Sequence, residues 1–232
     1  MHGYGQFCPV AVACEIFAER WTPLILRELL AGSRRFSEIR RGMPHISRAL
    51  LVQRLRHLED AGVIESRALA RGREYLLSRA GEEFHGVIEG LGAWGQRWSH
   101  GRATTQNLDV KLLIWNVRRR LAVDRLPERR VVVRFDFRGV PAGRGPATCW
   151  LVTSREEVDV CLTDPGFEVD LVVSADLAGF TKVWLGDVSF AQALRLRTVR
   201  LEGPRDLVRA FPGWLLLSHF AGVARPRAAR AS

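Results

Sequence analysis

Residues 33–77 constrain this chain more than any other stretch, because they spell a short helix, a tight turn, a longer helix and a hairpin in direct succession. Residues 35–41 predict a short helix with Phe36 and Ile39 on its apolar side. Gly42-Met43-Pro44-His45 is a turn. Ser47 is placed to cap a helix running to about Ala61, with Leu51, Leu55 and Leu58 as its inward stripe and Gly62 as its stop. Ala49, Val52, Gln53, Arg56 and His57 fall on the opposite face. Residues 63–67 and 74–77 predict two strands, joined through Ala70-Arg71-Gly72.

Two helices across a tight turn form a helix-turn-helix pattern, whose second helix can lie in a major groove. Arginine offers two hydrogen bonds to a guanine edge, and glutamine two to an adenine edge. Taken alone, the 47–61 helix reads equally well as a solvated surface helix. The basic hairpin behind it favours a wing, with Arg71 and Arg73 in reach of a minor groove or its flanking phosphates. The plainer alternative for those two is an ordinary charged hairpin. Seven arginines (Arg34, Arg35, Arg40, Arg41, Arg48, Arg54, Arg56) face a single acid, Glu38, between Arg34 and Arg56. The expected partner is double-stranded DNA. The candidate contact residues are Arg35, Ser47, Arg48, Ala49, Val52, Gln53, Arg56, Arg71 and Arg73.

Upstream, residues 15–30 show helical spacing broken near Glu19 to Thr22, with Thr22 as cap and Pro23 at the first helical position. Downstream, a helix opens at Ser78 or Arg79 and carries Phe84, Val87, Ile88, Leu91 and Trp94. Such a helix is expected to pack against a second copy, and a two-fold homodimer suits palindromic half-sites.

Residues 7–98 resemble the HxlR-type winged-helix regulators of bacteria. The resemblance rests on Cys8-Pro9-Val10, Trp21-Thr22-Pro23-Leu24-Ile25-Leu26-Arg27-Glu28-Leu29, Arg35-Phe36-Ser37-Glu38-Ile39, Ile46-Ser47 and Gln53-Arg54-Leu55. It continues through Leu58-Glu59-Asp60-Ala61-Gly62-Val63-Ile64 and Glu74-Tyr75-Leu76-Leu77. The resemblance implies a dimeric transcriptional regulator. The chain departs from the common pattern at Arg48-Ala49, where relatives often carry Pro-Arg, and at Val52, where they carry a small polar residue. An operator is therefore not inherited from relatives. Some members sense oxidants or electrophiles through a cysteine matching Cys8, which makes a redox role for Cys8 an alternative. No charged neighbour in sequence lowers its pKa, and the plainer expectation is a small buried apolar residue.

The second half changes character. Residues 100–107 read as a linker, and residues 109–121 as an amphipathic helix ending in Arg118-Arg119-Arg120, with Arg125, Arg129 and Arg130 beyond. Those cations either touch DNA phosphates or simply solvate a helix end. Residues 131–138 alternate as a half-buried strand, and further strands are expected at 148–153, 158–163, 169–173 and 198–201. Ser174, Ser189 and Pro204 are placed to open helices. Strands followed by helices predict an α+β domain.

Residues 169–211 resemble the sterol-carrier-protein-2-like domain, through Val183-Trp184-Leu185-Gly186-Asp187, Ala191-Gln192-Ala193-Leu194 and Leu201-Glu202-Gly203-Pro204. The resemblance implies an apolar tunnel for a small hydrophobic ligand. Phe180, Trp184, Phe190, Phe211, Trp214 and Leu217 are its candidate lining, or else merely fill a core. The expected organisation is therefore a mainly α winged helix-turn-helix domain over 1–100 and a linker over 101–108. An α+β sterol-carrier-like domain follows over 109–224, then a basic, disordered tail over 225–232.

Charge and motifs limit the other classes. The chain carries a net +10, and residues 101–232 hold 21 basic residues against 14 acids. A basic surface attracts polyanions but does not by itself identify DNA. Cys8, Cys14, Cys149 and Cys161 form no CxxC pair, and no histidine spacing suggests a metal, so reduced thiols without metal or cofactor are expected. The absence of HExxH, GxxxxGK and GxSxG motifs argues against an enzyme. No signal peptide or membrane span is expected, which places the chain in the cytoplasm. A lipid carrier with an accessory DNA-binding domain is the competing class.

Overall fold

The computed structural model describes residues 3–99 and 107–224. The expected linker, apart from Asn107 and Leu108, and the expected tail lie outside the described residues. The chain divides into two compact units, Met1–Gly92 and Ala93–Ser232.

The first unit begins with α1 (Pro9–Phe17) and α2 (Thr22–Leu30). Trp21, not Thr22, is the N-cap of α2, and it adopts a left-handed backbone with φ 79°. Thr22 is already helical and fully buried, and its Oγ1 has no partner among the described residues, so it does not cap. The sharp turn at Trp21 carries the chain directly into the core, which takes the hydroxyl out of reach of a free amide. Next come α3 (Phe36–Arg41) and α4 (Arg48–Asp60). Strands β1 (Ile64–Ala68) and β2 (Arg73–Leu77) pair antiparallel, followed by α5 (Arg79–Glu83) and α6 (His85–Trp98), which from Ala93 onward belongs to the second unit. Ile25, Leu26, Leu29, Ile39, Leu51, Leu55 and Leu58 are all at most 1 % exposed and form the core where α2, α3 and α4 meet. The inward stripe read from the sequence of α4 is therefore the one that packs.

The second unit has one five-stranded sheet with helices against one face. After α7 (Val110–Arg119) come β3 (Val131–Arg138), β4 (Thr148–Thr153), β5 (Val158–Cys161) and β6 (Leu171–Asp176). The chain continues through α8 (Leu177–Trp184), α9 (Phe190–Arg195), β7 (Val199–Glu202) and α10 (Arg205–Trp214). Strand order is β5-β4-β3-β6-β7; β3 and β6 run parallel and the other neighbours antiparallel. Val131, Val133, Phe135 and Phe137 point into the core with Leu151, Leu171 and Val173, and α7, α8 and α10 cover them.

Ser174 does not open a helix. It lies inside β6, opposite Asp136 of β3 and Arg200 of β7, where its backbone belongs to the sheet. Asp176 takes the capping role, its carboxylate accepting from Gly179 N at 2.8 Å. Strand β5 ends at Cys161, two residues before the expected Thr163. No helix among the described residues is long and apolar enough to cross a membrane.

Candidate nucleic-acid interface

The helix-turn-helix is held from beneath by a charge that its sequence does not advertise. Glu28 of α2 is fully buried. Arg27 grips it through Nε at 3.2 Å and Nη2 at 2.7 Å, and the same Nη2 donates to Gly42 O at 2.9 Å. Ser33 Oγ donates to the other carboxylate oxygen at 3.3 Å. A Cβ on Gly42 would collide with the Glu28 carboxyl group, so the turn between α3 and α4 takes glycine. A buried carboxylate survives only when paired and hydrogen-bonded in this way. The network thus fixes the turn that aims α4.

Each end of the motif has its own anchor. Glu38 Oε2 accepts from the backbone amides of Arg34 at 2.8 Å and Arg35 at 3.0 Å, closing the N-terminus of α3. Ser47 Oγ caps α4 by accepting from Leu50 N at 3.2 Å. Arg54 turns away from the outer face: it pairs with Glu19 at 2.6 Å and donates to Arg20 O at 3.2 Å, tying α4 to the turn before α2.

What remains outward on α4 is the set read from the sequence. Arg48, Ala49, Gln53 and Arg56 are exposed and Val52 is half-buried. With Glu19, Arg54, His57 and Asp60 they line an open groove of about 980 Å³. Arg48 also lies over the Phe36 ring, 5.5 Å from its centroid. The structure therefore brings five of the candidate residues into one concave surface. Ser47, Arg35, Arg71 and Arg73 lie outside it. The hairpin tip is an open turn in which Leu69 N donates to Gly72 O at 3.1 Å, Gly72 has φ 86°, and Arg71 is exposed. Arg73 is partly occupied, donating to Ser66 Oγ at 2.9 Å and lying 3.6 Å from Glu59 of α4. Tyr75 N donates to Arg34 O at 2.8 Å, so the hairpin and the entry to α3 are hydrogen-bonded together beside Arg35.

Sequence reasoning missed Glu19 and Asp60 at the groove and the buried Glu28 beneath it. The signal for Glu28 was an acid inside the apolar run of α2. The acids at the groove carry no comparable signal.

Cys8 is exposed rather than buried. It is the N-cap residue of α1 and makes no side-chain capping hydrogen bond, but the nearby backbone amides of Ala11 and Val10 hold its thiol below the usual pKa. The cause is helix geometry, which no neighbouring charge reveals.

In the second unit Phe180, Phe211 and Trp214 are at most 1 % exposed. Their rings meet each other and the sheet: Phe135–Phe180 at 5.8 Å, Phe211–Trp214 at 5.6 Å and Phe190–Phe211 at 5.9 Å. Trp184 is buried beside them, and Phe190 and Leu217 pack at the edge of the same core. Trp214 Nε1 is buried without an acceptor among the described residues.

A family model for the HxlR-like helix-turn-helix matches residues 16–103. The uncharacterized HTH-type transcriptional regulator YvaP of Bacillus subtilis is 33% identical over 97 residues, covering 40% of this chain and 90% of that protein. The uncharacterized HTH-type transcriptional regulator YtcD of Bacillus subtilis is 37% identical over 89 residues, covering 37% of this chain and 71% of that protein. Among solved structures, the diamide-treated form of YodB from B. subtilis is 31% identical, covers 39% of this chain and 93% of that chain, and has a TM-score of 0.34.

Proposed function

This chain belongs to the HxlR-like helix-turn-helix family, and from that premise we propose how it acts as a DNA-binding transcriptional regulator. In this reading it is a cytoplasmic homodimer. Helix α4 enters the major groove with Arg48, Ala49, Val52, Gln53 and Arg56 toward base edges. Ser47 and Arg35 meet flanking phosphates, and Arg71 and Arg73 reach along the wing. The observation that carries this is the outer face of α4. Gln53 and Arg56 project there, exposed and with no hydrogen-bond or ion-pair partner among the described residues. Fluorescence anisotropy with DNA from upstream of the gene, against random duplex at physiological salt, tests it. A preference of about a thousandfold is expected; equal affinity for both duplexes would refute groove reading by α4.

The dimer reading rests on a stripe along α6. Val87 and Leu91, on the part of α6 in the first unit, recur at helical spacing and are 46% and 48% exposed. Phe7, Val10 and Val12 are exposed around α1. Such surfaces mark contact with another chain. Sedimentation at micromolar concentration should report a dimer, and Leu91→Glu should yield a monomer. A wild-type monomer would sink the reading.

A second reading concerns Cys8, whose exposure and helix-lowered pKa suit a reactive thiol. Alkylation of Cys8 should change operator affinity; unchanged affinity ends this reading.

For the second unit, the reading is a sterol-carrier-protein-2-like domain that takes a small apolar ligand among Phe180, Trp184, Phe190, Phe211 and Trp214. The five-stranded sheet with helices packed on one face supports it. Organic extraction of the purified protein followed by mass spectrometry should recover an apolar molecule. Operator affinity unchanged on delipidation would remove any regulatory role for it.

A further inference from the structure

The arginine cluster that stands out in the sequence of the second unit is occupied. Arg118 Nε donates to Val158 O at 2.7 Å and Arg120 Nε to Leu217 O at 3.0 Å. Arg125 donates to Gly213 O at 3.1 Å, Arg129 pairs with Asp170 at 2.7 Å, and Arg130 lies 3.9 Å from the Phe167 ring centroid.

Four free cations lie elsewhere, at one end of the sheet. Arg138 ends β3, Arg195 ends α9, Arg197 follows α9 with φ 55°, and Arg200 sits in β7. All four are exposed, and none of their guanidinium groups has a hydrogen-bond or ion-pair partner among the described residues. The strand register puts Arg138 and the start of β7, with Arg200, at the same end of the sheet, and Arg195 and Arg197 lie on the segment that leads into β7 there. Arg138 is opposite Asp176, Asp176 N donates to Thr198 O at 3.0 Å, and Arg200 is opposite Ser174. Two of the nearby acids are committed: Asp176 caps Gly179 N, while Asp136 holds Arg134 at 3.1 Å and Thr148 Oγ1 at 3.1 Å. Glu202, two residues from Arg200 in β7, is exposed, which leaves four cations around one uncommitted carboxylate among the described residues.

We propose that Arg138, Arg195, Arg197 and Arg200 form a second, sequence-independent contact for the phosphate backbone of duplex DNA. The inference rests on the DNA-binding reading of the first unit. An unpaired guanidinium keeps its fork of donors for an anion and matches phosphate geometry in two-pronged fashion. The apolar surface among the four is confined to Leu194 and Leu196, Val199 being buried. That is small beside the patches that mark protein docking, so charge rather than shape is what this surface offers. Charge alone reads no sequence. The consequence is extra affinity for any duplex, steeply dependent on salt.

The test is a salt titration of random-duplex binding, read by anisotropy on the full chain. The comparison is wild type against the combined variant Arg138→Ala, Arg195→Ala, Arg197→Gly and Arg200→Ala. Glycine suits the left-handed backbone at position 197. Each phosphate contact contributes roughly 0.9 to the slope of log affinity against log salt, so the slope should fall by about 2 to 4. Lysine at positions 138, 195 and 200 should retain most of it. If the combined variant fails to fold by circular dichroism, Arg138→Ala and Arg195→Ala are measured singly, each with an expected fall of about 1. An unchanged slope in a folded variant overturns the proposal and leaves an acidic protein as the class of partner that fits. Wild type that ignores duplex DNA at low salt would overturn the DNA-binding reading and this proposal with it. Wild type that prefers its upstream DNA, beside a variant of unaltered slope, sinks this proposal alone.

Discussion

On α4 of the first unit, Gln53 and Arg56 extend from a helix whose own carbonyls and amides are satisfied by backbone and by Ser47. At the end of α7 in the second unit, Arg118, Arg120 and Arg125 fold back onto the carbonyl oxygens of Val158, Leu217 and Gly213. Both regions read as arginine-rich helix surface in the sequence. They differ in what surrounds them: chain segments that pass α7 and its following turn offer unfilled acceptors, and a buried or half-buried carbonyl needs a donor. A cluster of cations therefore marks a binding surface only after its internal acceptors have been counted.

The thiols give the largest measurable contrast between the units. Burial, and then the Asp136 carboxylate, push the Cys149 thiol up to about 12 from 9.0. The unfolded chain releases this proton near 9.0 while the native chain keeps it. Stability from this group is thus intact below that pH and falls as pH rises toward 12, by about 1.4 kcal/mol per pH unit. Denaturant titration of the second unit's unfolding should show Cys149→Ala losing less stability than wild type between pH 8 and the alkaline limit; parallel curves would contradict the assignment. Cys8, by contrast, should react with iodoacetamide in the native protein at neutral pH while Cys149 stays protected.

Arg27→Met comes next. It leaves the Glu28 carboxylate buried with its main partner gone, at a cost of about 3 kcal/mol to the first unit. Operator binding should weaken through the loosened turn at Gly42. A melting temperature within a degree of wild type would show that the pair is dispensable. Gln53→Ala follows, with a loss of about 1–3 kcal/mol for the specific site and little change on random duplex. Equal losses on both would mean that Gln53 meets backbone rather than a base.

Arg118→Ala sharpens the comparison from the other side. It should lower stability by about 1 kcal/mol, the scale of a lost side-chain bond to a partly buried carbonyl, with the salt dependence of DNA binding untouched. The smallest effect is expected at Arg71→Ala on the hairpin tip, a drop of about 1 in the salt slope for every duplex. A change confined to one sequence would reassign Arg71 from phosphate to base.

Repeating patterns were the legible part of this molecule. Leu51, Leu55 and Leu58 mark the buried side of α4, and by exclusion they mark Arg48, Gln53 and Arg56 as outward. Val131 to Phe137 mark the two faces of β3 equally well. Single polar residues were less legible. Ser174 and Asp176 are both good helix caps by type, and only the pairing of β6 with β3 and β7 keeps Ser174 in the sheet. Thr22 looks like a cap until the turn at Trp21 buries it. Glu28 would be placed on a solvated face by composition alone, and it is the buried hub of the turn.

The sequence by itself determined the helix-turn-helix, the wing and the outward face of α4, because side-chain periodicity is a local property that burial simply ratifies. Only the tertiary structure decided which cations stay free and which acid lies under the turn. Those outcomes depend on acceptors and low-dielectric neighbours supplied by residues distant in the chain, as Leu217 does for Arg120 and Gly42 for Arg27.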